Sequence, residues 1–186
     1  MMGTITVHEF VSLDGVFEDP SWTAPFPFDP KMGEAIGGLM GACDAILLGR
    51  RTYEMFAPAW SQRTAEDDPG APFFNDTRKY VVSSTLGSVD WRNSTLVGPY
   101  DAGRLREIRD GAAAGIYVSG SGTLVRAMLA DGLVDELHLF VYPIALGAGR
   151  RLFGEGAAPT RLALTGCEAY GSGVVHLAYG RAPAAG

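Results

Sequence analysis

The sequence predicts an α/β fold with a mostly parallel central sheet, helices on its faces and an antiparallel hairpin at the C-terminal end. Short β-rich runs alternate with helical runs along most of the 186 residues, an order that is typical of parallel sheets with crossover helices. The last two β-rich runs instead follow each other across Gly171-Ser172-Gly173, which predicts a hairpin. The 25 glycines and 11 prolines indicate many turns and argue against a helical bundle.

The first predicted element is a β-strand at residues 4–12, where apolar and polar side chains alternate. Ile5, Val7 and Val11 fall on one face of this strand, and Glu9 interrupts their row. A carboxylate in that position is either buried with a raised pKa or paired near a strand end. Glu9 is therefore a candidate for a functional role as well as for a structural one.

A loop without regular structure is expected at residues 16–30, because prolines and aromatic side chains crowd this segment. The pair Asp29-Pro30 is typical of an N-cap followed by a first helical residue, and it predicts a helix over 30–42. The wholly apolar run at 45–48 is typical of a strand that is covered on both faces.

The rest of the chain continues the alternation and ends in the hairpin, so we predict one domain at residues 1–181 and a disordered tail at 182–186. The remaining predicted elements are a helix from Tyr53, an excursion loop at 61–76, strands at 79–83 and 94–97, a helix from Asp101 or Ala102 to Arg109, a strand at 115–119, a helix at 124–130, a strand at 136–142 and hairpin strands at 162–167 and 174–179.

Composition excludes several classes of protein. The chain has 15 basic and 21 acidic residues and a formal charge of −6, which argues against nucleic acid or an anionic membrane as the main partner. No apolar run is long enough to span a membrane, and the first residues do not have the pattern of a signal peptide. Cys43 and Cys167 stand alone, which fits a reducing cytoplasm, although one disulfide between them remains an alternative.

Three predicted strands end in small, polar or glycine residues. In an open α/β sheet these residues lie at the carboxyl ends of the strands, where ligands bind. Glycines let backbone N–H groups approach a phosphate, hydroxyls donate hydrogen bonds, and arginine adds charge and a fork of donors. The three segments are Gly49-Arg50-Arg51-Thr52, Ser83-Ser84-Thr85 and Ser119-Gly120-Ser121-Gly122-Thr123.

Any one of these segments could be an ordinary turn, because glycine and serine dominate turns, but three in one small sheet favour a nucleotide or dinucleotide site. The last segment has Val125 where a Rossmann motif needs its third glycine, and no acid follows at the ribose-binding position, so a Rossmann site is not supported. Arg50 or Arg51 together with Ser83–Thr85 would suit an adenosine 2′-phosphate, which favours NADP over NAD.

Hydrolase and metal chemistry find no support in the residue types. The sequence contains no G-x-S-x-G motif and no cluster rich in histidine or cysteine. His8, His138 and His176 lie in separate predicted strands without ligand spacing, so we expect structural histidines and no metal site.

The chain resembles the dihydrofolate-reductase-like superfamily, in particular the riboflavin-biosynthesis pyrimidine reductase C-terminal-domain family. The resemblance extends over nearly the whole chain, and it is carried by five segments. These segments are Ser12-Leu13-Asp14-Gly15, Leu47–Glu54, Lys79–Leu86, Val118–Leu124 and Asp135–Phe153.

This resemblance implies an NADPH-dependent reductase that transfers hydride to a C=N or C=O bond of a pterin/folate- or pyrimidine-like heterocycle. Residues 49–52 and 119–123 would hold the pyrophosphate, and residues 83–85 would hold the adenosine end. Asp14, with Gly15, would lie beside the nicotinamide and the substrate, and Asp14 or a water that it holds would deliver the proton. The resemblance also implies a homodimer, which the apolar strand at 136–146 favours.

Some alternatives remain open at this point. Asp14 is equally explained as a turn residue, and Trp22 could stack on the heterocycle or pack locally within its loop. Lys31 is the one basic residue in 13–40, which weakens the case for a phosphorylated substrate. A catalytically degenerate nucleotide-binding or flavin-binding homodimeric module is the alternative function.

Overall fold

The computed structural model describes residues 3–155 and 158–183. The strands are β1 (Thr4–Ser12), β2 (Ala45–Gly49), β3 (Arg78–Val82), β4 (Ser94–Gly98), β5 (Gly115–Ser119), β6 (Glu136–Tyr142), β7 (Leu162–Ala169) and β8 (Val175–Arg181). The helices are α1 (Pro30–Gly41), α2 (Arg50–Trp60), α3 (Ala71–Asp76), α4 (Ala102–Asp110) and α5 (Gly122–Ala130), and a 3-10 turn lies at Pro20–Thr23.

The strands of the described residues form one eight-stranded sheet in the order β4-β3-β2-β5-β1-β6-β8-β7. Strands β1 to β6 pair in parallel, and the hairpin β7–β8 adds to β6 in antiparallel fashion. This arrangement confirms the predicted fold class. The carboxyl ends of β1, β2, β3 and β5 meet at one edge of the sheet, as parallel pairing requires.

The core lies on both faces of the central strands. Along β5, Ile116 and Val118 pack into the apolar cluster on one face, while Tyr117 packs into the cluster on the other. The predicted apolar run of β2 is buried throughout, as the sequence indicated. Each of these side chains contributes roughly 1.5–3 kcal/mol when it is fully buried.

The excursion loop predicted at 61–76 contains one helix, α3, which the sequence did not reveal. This helix has six residues, too few for a hydrophobic period to show, and Pro72 stands in its first turn. Phe74 is buried, and the Lys79 ammonium donates hydrogen bonds to the carbonyls of Phe74 and Thr77 at 2.7 and 2.8 Å. Tertiary contacts, rather than local propensity, therefore hold α3 in place.

Other element boundaries differ slightly from the predicted ones. Asp29 is the N-cap of α1, as predicted, and its carboxylate accepts from the Lys31 backbone N–H at 2.9 Å. Helix α2 begins at Arg50 rather than at Tyr53, and α5 begins at Gly122 rather than at Leu124. Of the predicted tail 182–186, residues 184–186 lie outside the described residues.

Within the described part of the chain, no helix combines the length and apolar character that crossing a membrane requires. Cys43 and Cys167 are both free thiols.

Candidate functional site

A cleft of about 840 Å³ lies over the carboxyl ends of the central strands. The loop between β2 and α2, the end of β3, the loop between β5 and α5, and the segment after β1 all contribute to its wall. The structure brings every residue that was predicted for the cofactor into this one cleft. These residues are Gly49, Arg50, Arg51, Thr52, Ser83, Ser84, Thr85, Ser119, Gly120, Ser121, Gly122 and Thr123.

Two helices begin at the cleft without a side-chain cap. The N-cap of α2 is Gly49, which has no side chain, and the N-cap of α5 is Ser121, whose hydroxyl accepts no hydrogen bond from the first turn of α5. The first backbone N–H groups of a helix have no intrahelical partner, and they carry a partial positive charge. The wall of the cleft is therefore suited to an anionic group.

The Ser121 hydroxyl ties the two glycine-containing loops together. It accepts from the Gly49 N–H at 2.8 Å and donates to the Thr52 hydroxyl at 2.8 Å. Ser121 is in the left-handed region with φ 66°, a conformation that costs a residue with a side chain roughly 1–2 kcal/mol. A side chain at Gly120 would contact Thr52 at 3.2 Å, so the loops approach closely here.

The third predicted segment forms its own turn after β3. Ser83 is buried, and its hydroxyl accepts from the N–H groups of Thr85 and Leu86 at 3.1 and 3.0 Å. This hydroxyl is therefore engaged within the turn. The side chains of Ser84 and Thr85 are exposed at the cleft and can contact a ligand there, although the Thr85 hydroxyl also lies 3.5 Å from that of Ser83.

The arginines of the cleft differ in their partners. Arg50 pairs with Glu54 at 3.0 Å, and Arg150 pairs with Glu18 at 2.6 Å. Arg51 is exposed and forms no ion pair or side-chain hydrogen bond with residues 3–155 or 158–183. Arg51 is thus the cleft arginine whose guanidinium is available to a ligand.

Asp14 does not line the cleft. Its carboxylate accepts from the Ser12 hydroxyl at 2.6 Å and from the N–H groups of Leu146 and Gly147 at 3.0 and 2.8 Å. Arg151 also contacts it, at 3.4 Å. The hydrogen bond from Ser12 and those from the two backbone groups hold the pKa of Asp14 below its usual range. Asp14 therefore fastens the segment after β1 to the segment 146–151, and its position gives no support to the predicted catalytic role.

Gly15 and Trp22 also lie outside the cleft lining. Gly15 has φ 80°, which serves the tight turn after β1, and its carbonyl accepts from the Leu152 N–H at 2.9 Å. The Trp22 indole donates to the Glu18 carbonyl at 3.1 Å, and its ring packs edge-on against Tyr142 at a centroid distance of 5.6 Å. Of the two alternatives left open for Trp22, the structure shows the local packing.

Glu9 is a buried carboxyl at the cleft. Only 3% of the residue is exposed, it lines the cleft, and its Oε1 has no hydrogen-bond partner among the described residues. Burial raises the pKa of Glu9 to about 8, although the backbone of Gly120 opposes this shift. The break in the apolar row of β1 was the sequence signal for this residue, and burial with a raised pKa is the alternative that the structure shows.

Comparison with known proteins now places the chain. Residues 3–176 match the family described as the RibD C-terminal domain. The chain belongs to this family. The resemblance inferred from the sequence is thereby confirmed, and the fold is the dihydrofolate-reductase-like fold of RibD domains.

The chain is also similar to individual proteins and solved structures. The uncharacterized protein YyaP of Bacillus subtilis is 26% identical over 176 residues, covering 91% of this chain and 90% of its own length. A protein from Shewanella sp. PV-4 that is ascribed to riboflavin biosynthesis superposes with a TM-score of 0.76 at 22% identity, over 97% of this chain and 99% of its own. The riboflavin biosynthesis reductase of Saccharomyces cerevisiae superposes with a TM-score of 0.60 at 16% identity, over 97% and 90%.

The three histidines of this RibD-like domain come together on the other face of the sheet. His138 and His176 share a hydrogen bond of 2.9 Å, and His8 shares one of 2.7 Å with the Tyr117 hydroxyl. Burial, together with the neighbouring imidazoles of His138 and His176, lowers the pKa of His8 to about 3. In the described residues, no group of three or more histidine, cysteine, aspartate or glutamate side chains is arranged to hold a metal ion.

Proposed function

We propose that this RibD-like domain is an NADPH-dependent reductase that transfers hydride to a C=N or C=O bond of a planar pterin/folate- or pyrimidine-like heterocycle. Family membership and the reductases among the structural neighbours support an oxidoreductase. The observation that carries the proposal is the cleft itself, in which two uncapped helix N-termini and one unpaired arginine meet.

The residues of the cleft fit the anionic parts of NADPH. The first N–H groups of α2 and α5 would hold the pyrophosphate, and Gly49 and Gly120 let the two loops that carry these groups lie close together. Arg51, with Ser84 and Thr85, would hold the adenosine 2′-phosphate. When it is bound, the dihydronicotinamide supplies the hydride.

The rest of the cleft would receive the flat rings. Phe17, Met55 and Phe56 line it and provide apolar surface that excludes water. In this part of the cleft the protein would orient the flat rings and exclude water from them. The predicted substrate contacts of Asp14, Gly15 and Trp22 become indirect in this proposal, since these residues shape the segment that carries Phe17 and Glu18.

Titration of the tryptophan fluorescence with NADPH and with NADH tests the cofactor. We expect saturable binding that is tighter for NADPH, and no saturable binding at millimolar NADPH would reject the proposal. Arg51→Gln should weaken NADPH binding by roughly 10–100-fold and NADH binding much less, because it removes a charge-assisted contact to the 2′-phosphate. Arg104→Gln, on the exposed side of α4, is the matched control.

A cofactor-binding module without turnover is the second candidate, and the engagement of Asp14 outside the cleft favours it. It predicts NADPH or flavin binding without reduction of any pterin, folate or pyrimidine. Loss of NADPH absorbance that depends on an added heterocycle would exclude it, and a colourless purified protein would count against the flavin.

We further propose that the protein acts as a cytoplasmic homodimer. The two free thiols support the compartment. One face of the β6–β8–β7 half of the sheet supports the dimer, because Leu139 pairs with Leu177 and the neighbouring Tyr179 pairs with Leu164, all half-exposed or exposed. Light scattering at micromolar concentration should give the dimer mass, and a monomer mass would contradict this part of the proposal.

A further inference from the structure

We propose that Glu9 is the catalytic acid of this cleft, delivering a proton to the nitrogen or oxygen of the bond that is reduced. The inference rests on the proposed reductase function and adds the residue that completes its chemistry. It follows from the placement of one buried carboxyl, with one oxygen unpaired, in the wall of the cleft over the strand ends.

The position of Glu9 is difficult to explain as purely structural. Its neighbours on the same face of β1, Val7 and Val11, belong to the apolar core, and Glu9 is as buried as they are. A buried polar atom normally has a hydrogen-bond partner, because leaving it unpaired costs about 1–3 kcal/mol. Oε1 of Glu9 has none among the described residues, yet the residue lines the cleft. The residue that carries this buried, unpaired oxygen is thus also part of the cleft wall.

The surroundings keep this carboxyl protonated at neutral pH. Burial raises its pKa to about 8, and no described cation forms an ion pair with it. The titratable groups around it are Tyr117 on β5, the paired Glu18 and Arg150 after β1 and before β7, and the arginines at the start of α2. Arg150 and Arg50 are neutralised by their own carboxylates. Arg51 is unpaired, but burial and the Gly120 backbone set the pKa of Glu9, and no charged side chain lowers it.

The chemistry balances with this assignment. The carbon of a C=N or C=O bond receives a hydride, that is two electrons and one proton, and the dihydronicotinamide that gives it is oxidised. The nitrogen or oxygen of the same bond takes the proton of the Glu9 carboxyl, so that the Glu9 O–H bond breaks and an N–H or O–H bond forms. Glu9 is left as a carboxylate, and it recovers its proton from water when the product leaves. General acids of this kind contribute about 10²–10⁴-fold to rate.

The assignment also restricts the substrate class. A neutral carboxylic acid donates one hydrogen bond, so the reducible bond must end in an atom that accepts one, such as an imine nitrogen or a carbonyl oxygen. An isolated C=C bond offers no such acceptor. The acid thus favours the nitrogen heterocycles with a C=N or C=O bond over simple alkenes.

An infrared titration tests the protonated acid without any need for turnover. We expect the wild-type protein at pH 7 to show the C=O absorption of a buried carboxylic acid, and this absorption should disappear as the pH rises through about 8. Glu9→Gln should lack the band, while Glu107→Gln, which removes an exposed glutamate of α4, should retain it. Identical spectra for wild type and Glu9→Gln at pH 7 would overturn the proposal.

Turnover then tests the catalytic role. NADPH oxidation is followed with dihydrofolate, a dihydropterin and a diaminouracil as acceptors. Glu9→Gln should lower kcat by at least about 100-fold and leave the NADPH affinity within about two-fold of wild type. The fall of wild-type activity above pH 8 should be absent from the residual activity of Glu9→Gln, and Glu9→Asp, which keeps the acid, should be intermediate in rate.

The outcomes separate the two proposals. Equal turnover of wild type and Glu9→Gln, with the same pH profile, overturns the role of Glu9 and leaves the reductase in place. A wild-type protein that shows the infrared band but neither binds NADPH nor reduces an acceptor overturns the reductase, and the catalytic role of Glu9 is then wrong as well.

Discussion

Two buried ionisable side chains, Lys79 on β3 and Glu9 on β1, differ in what surrounds their charged ends. The Lys79 ammonium donates to the carbonyls of Phe74, Asn75 and Thr77 at 2.7, 3.2 and 2.8 Å, and it lies 4.5 Å from the centre of the Trp91 ring. Every donor of Lys79 therefore has a partner, whereas one oxygen of Glu9 has none in the described residues. Satisfied burial indicates a structural role, and unsatisfied burial at a cleft indicates a functional one.

Replacing Lys79 should have the largest effect on stability. Lys79→Met keeps the volume but leaves three carbonyls around α3 without their donor, so we expect a loss of about 4 kcal/mol in the free energy of unfolding. Urea denaturation measures this loss. Lys31→Met, at an exposed position on α1, is the control and should change stability little. A stability loss for Lys79→Met as small as that of the control would contradict the structural role of Lys79.

Glu9→Gln should instead increase the free energy of unfolding. Because the folded-state pKa of about 8 lies above the unfolded value, the native state binds more protons between about pH 4.5 and pH 8, and stability falls as the pH rises through that window. The neutral amide removes this loss, so the variant should be more stable than wild type by about 3 kcal/mol at pH 7. Below pH 4.5 the two proteins should unfold alike, and a pH-independent difference would argue against a raised pKa.

Two substitutions of Ser121 should have smaller effects on stability. Comparing them separates the contribution of the hydroxyl from that of the backbone conformation. Ser121→Ala loses both loop-joining hydrogen bonds and keeps the left-handed strain, so it should cost about 2 kcal/mol in urea denaturation. Ser121→Gly loses the same bonds and relieves the strain, and it should cost about 1 kcal/mol less than the alanine variant. Equal losses would show that the conformation at φ 66° is not strained.

Asp14→Asn should have the smallest effect, because this carboxylate lies near solvent. The pKa of Asp14 is lowered in the folded state, so its stabilising contribution is present above the ordinary pKa of an aspartate, about 3.9, and is lost as the pH falls. The urea midpoint of Asp14→Asn should therefore be lower than that of wild type at pH 7 and should approach it in acid. Turnover that drops as far as in Glu9→Gln would return the catalytic role to Asp14.

The elements and the cleft were largely predictable, because strand–helix alternation and the chemistry of three strand ends are local properties of the sequence. Glu9 was detectable through the apolar row that it interrupts, but its missing partner depends on what packs around β1. The sequence does not distinguish the two environments open to Asp14, because a turn carboxylate next to a glycine looks the same whether it faces a ligand or a neighbouring segment. The segment that it holds, 146–151, is more than a hundred residues away along the chain.

The contacts between the histidines could not be predicted from the sequence either, because they depend on the order of the strands in the sheet. His138 and His176 meet because β8, rather than β7, pairs with β6. That order inverts the sequence order of the hairpin, and no local pattern encodes it. Helix α3 is similar, since a buried lysine from the following strand satisfies its last carbonyls.

The hydroxyl link between the two glycine-containing loops has a consequence for affinity. Because Ser121, the N-cap of α5, bonds to both Gly49 and Thr52 at the start of α2, the starts of the two helices are held at a fixed separation before any ligand arrives. A receptor that is already ordered loses little conformational entropy on association. Binding of a dianionic group there should consequently proceed without a slow rearrangement, and severing the link should raise the entropic penalty of complex formation while leaving the direct contacts intact.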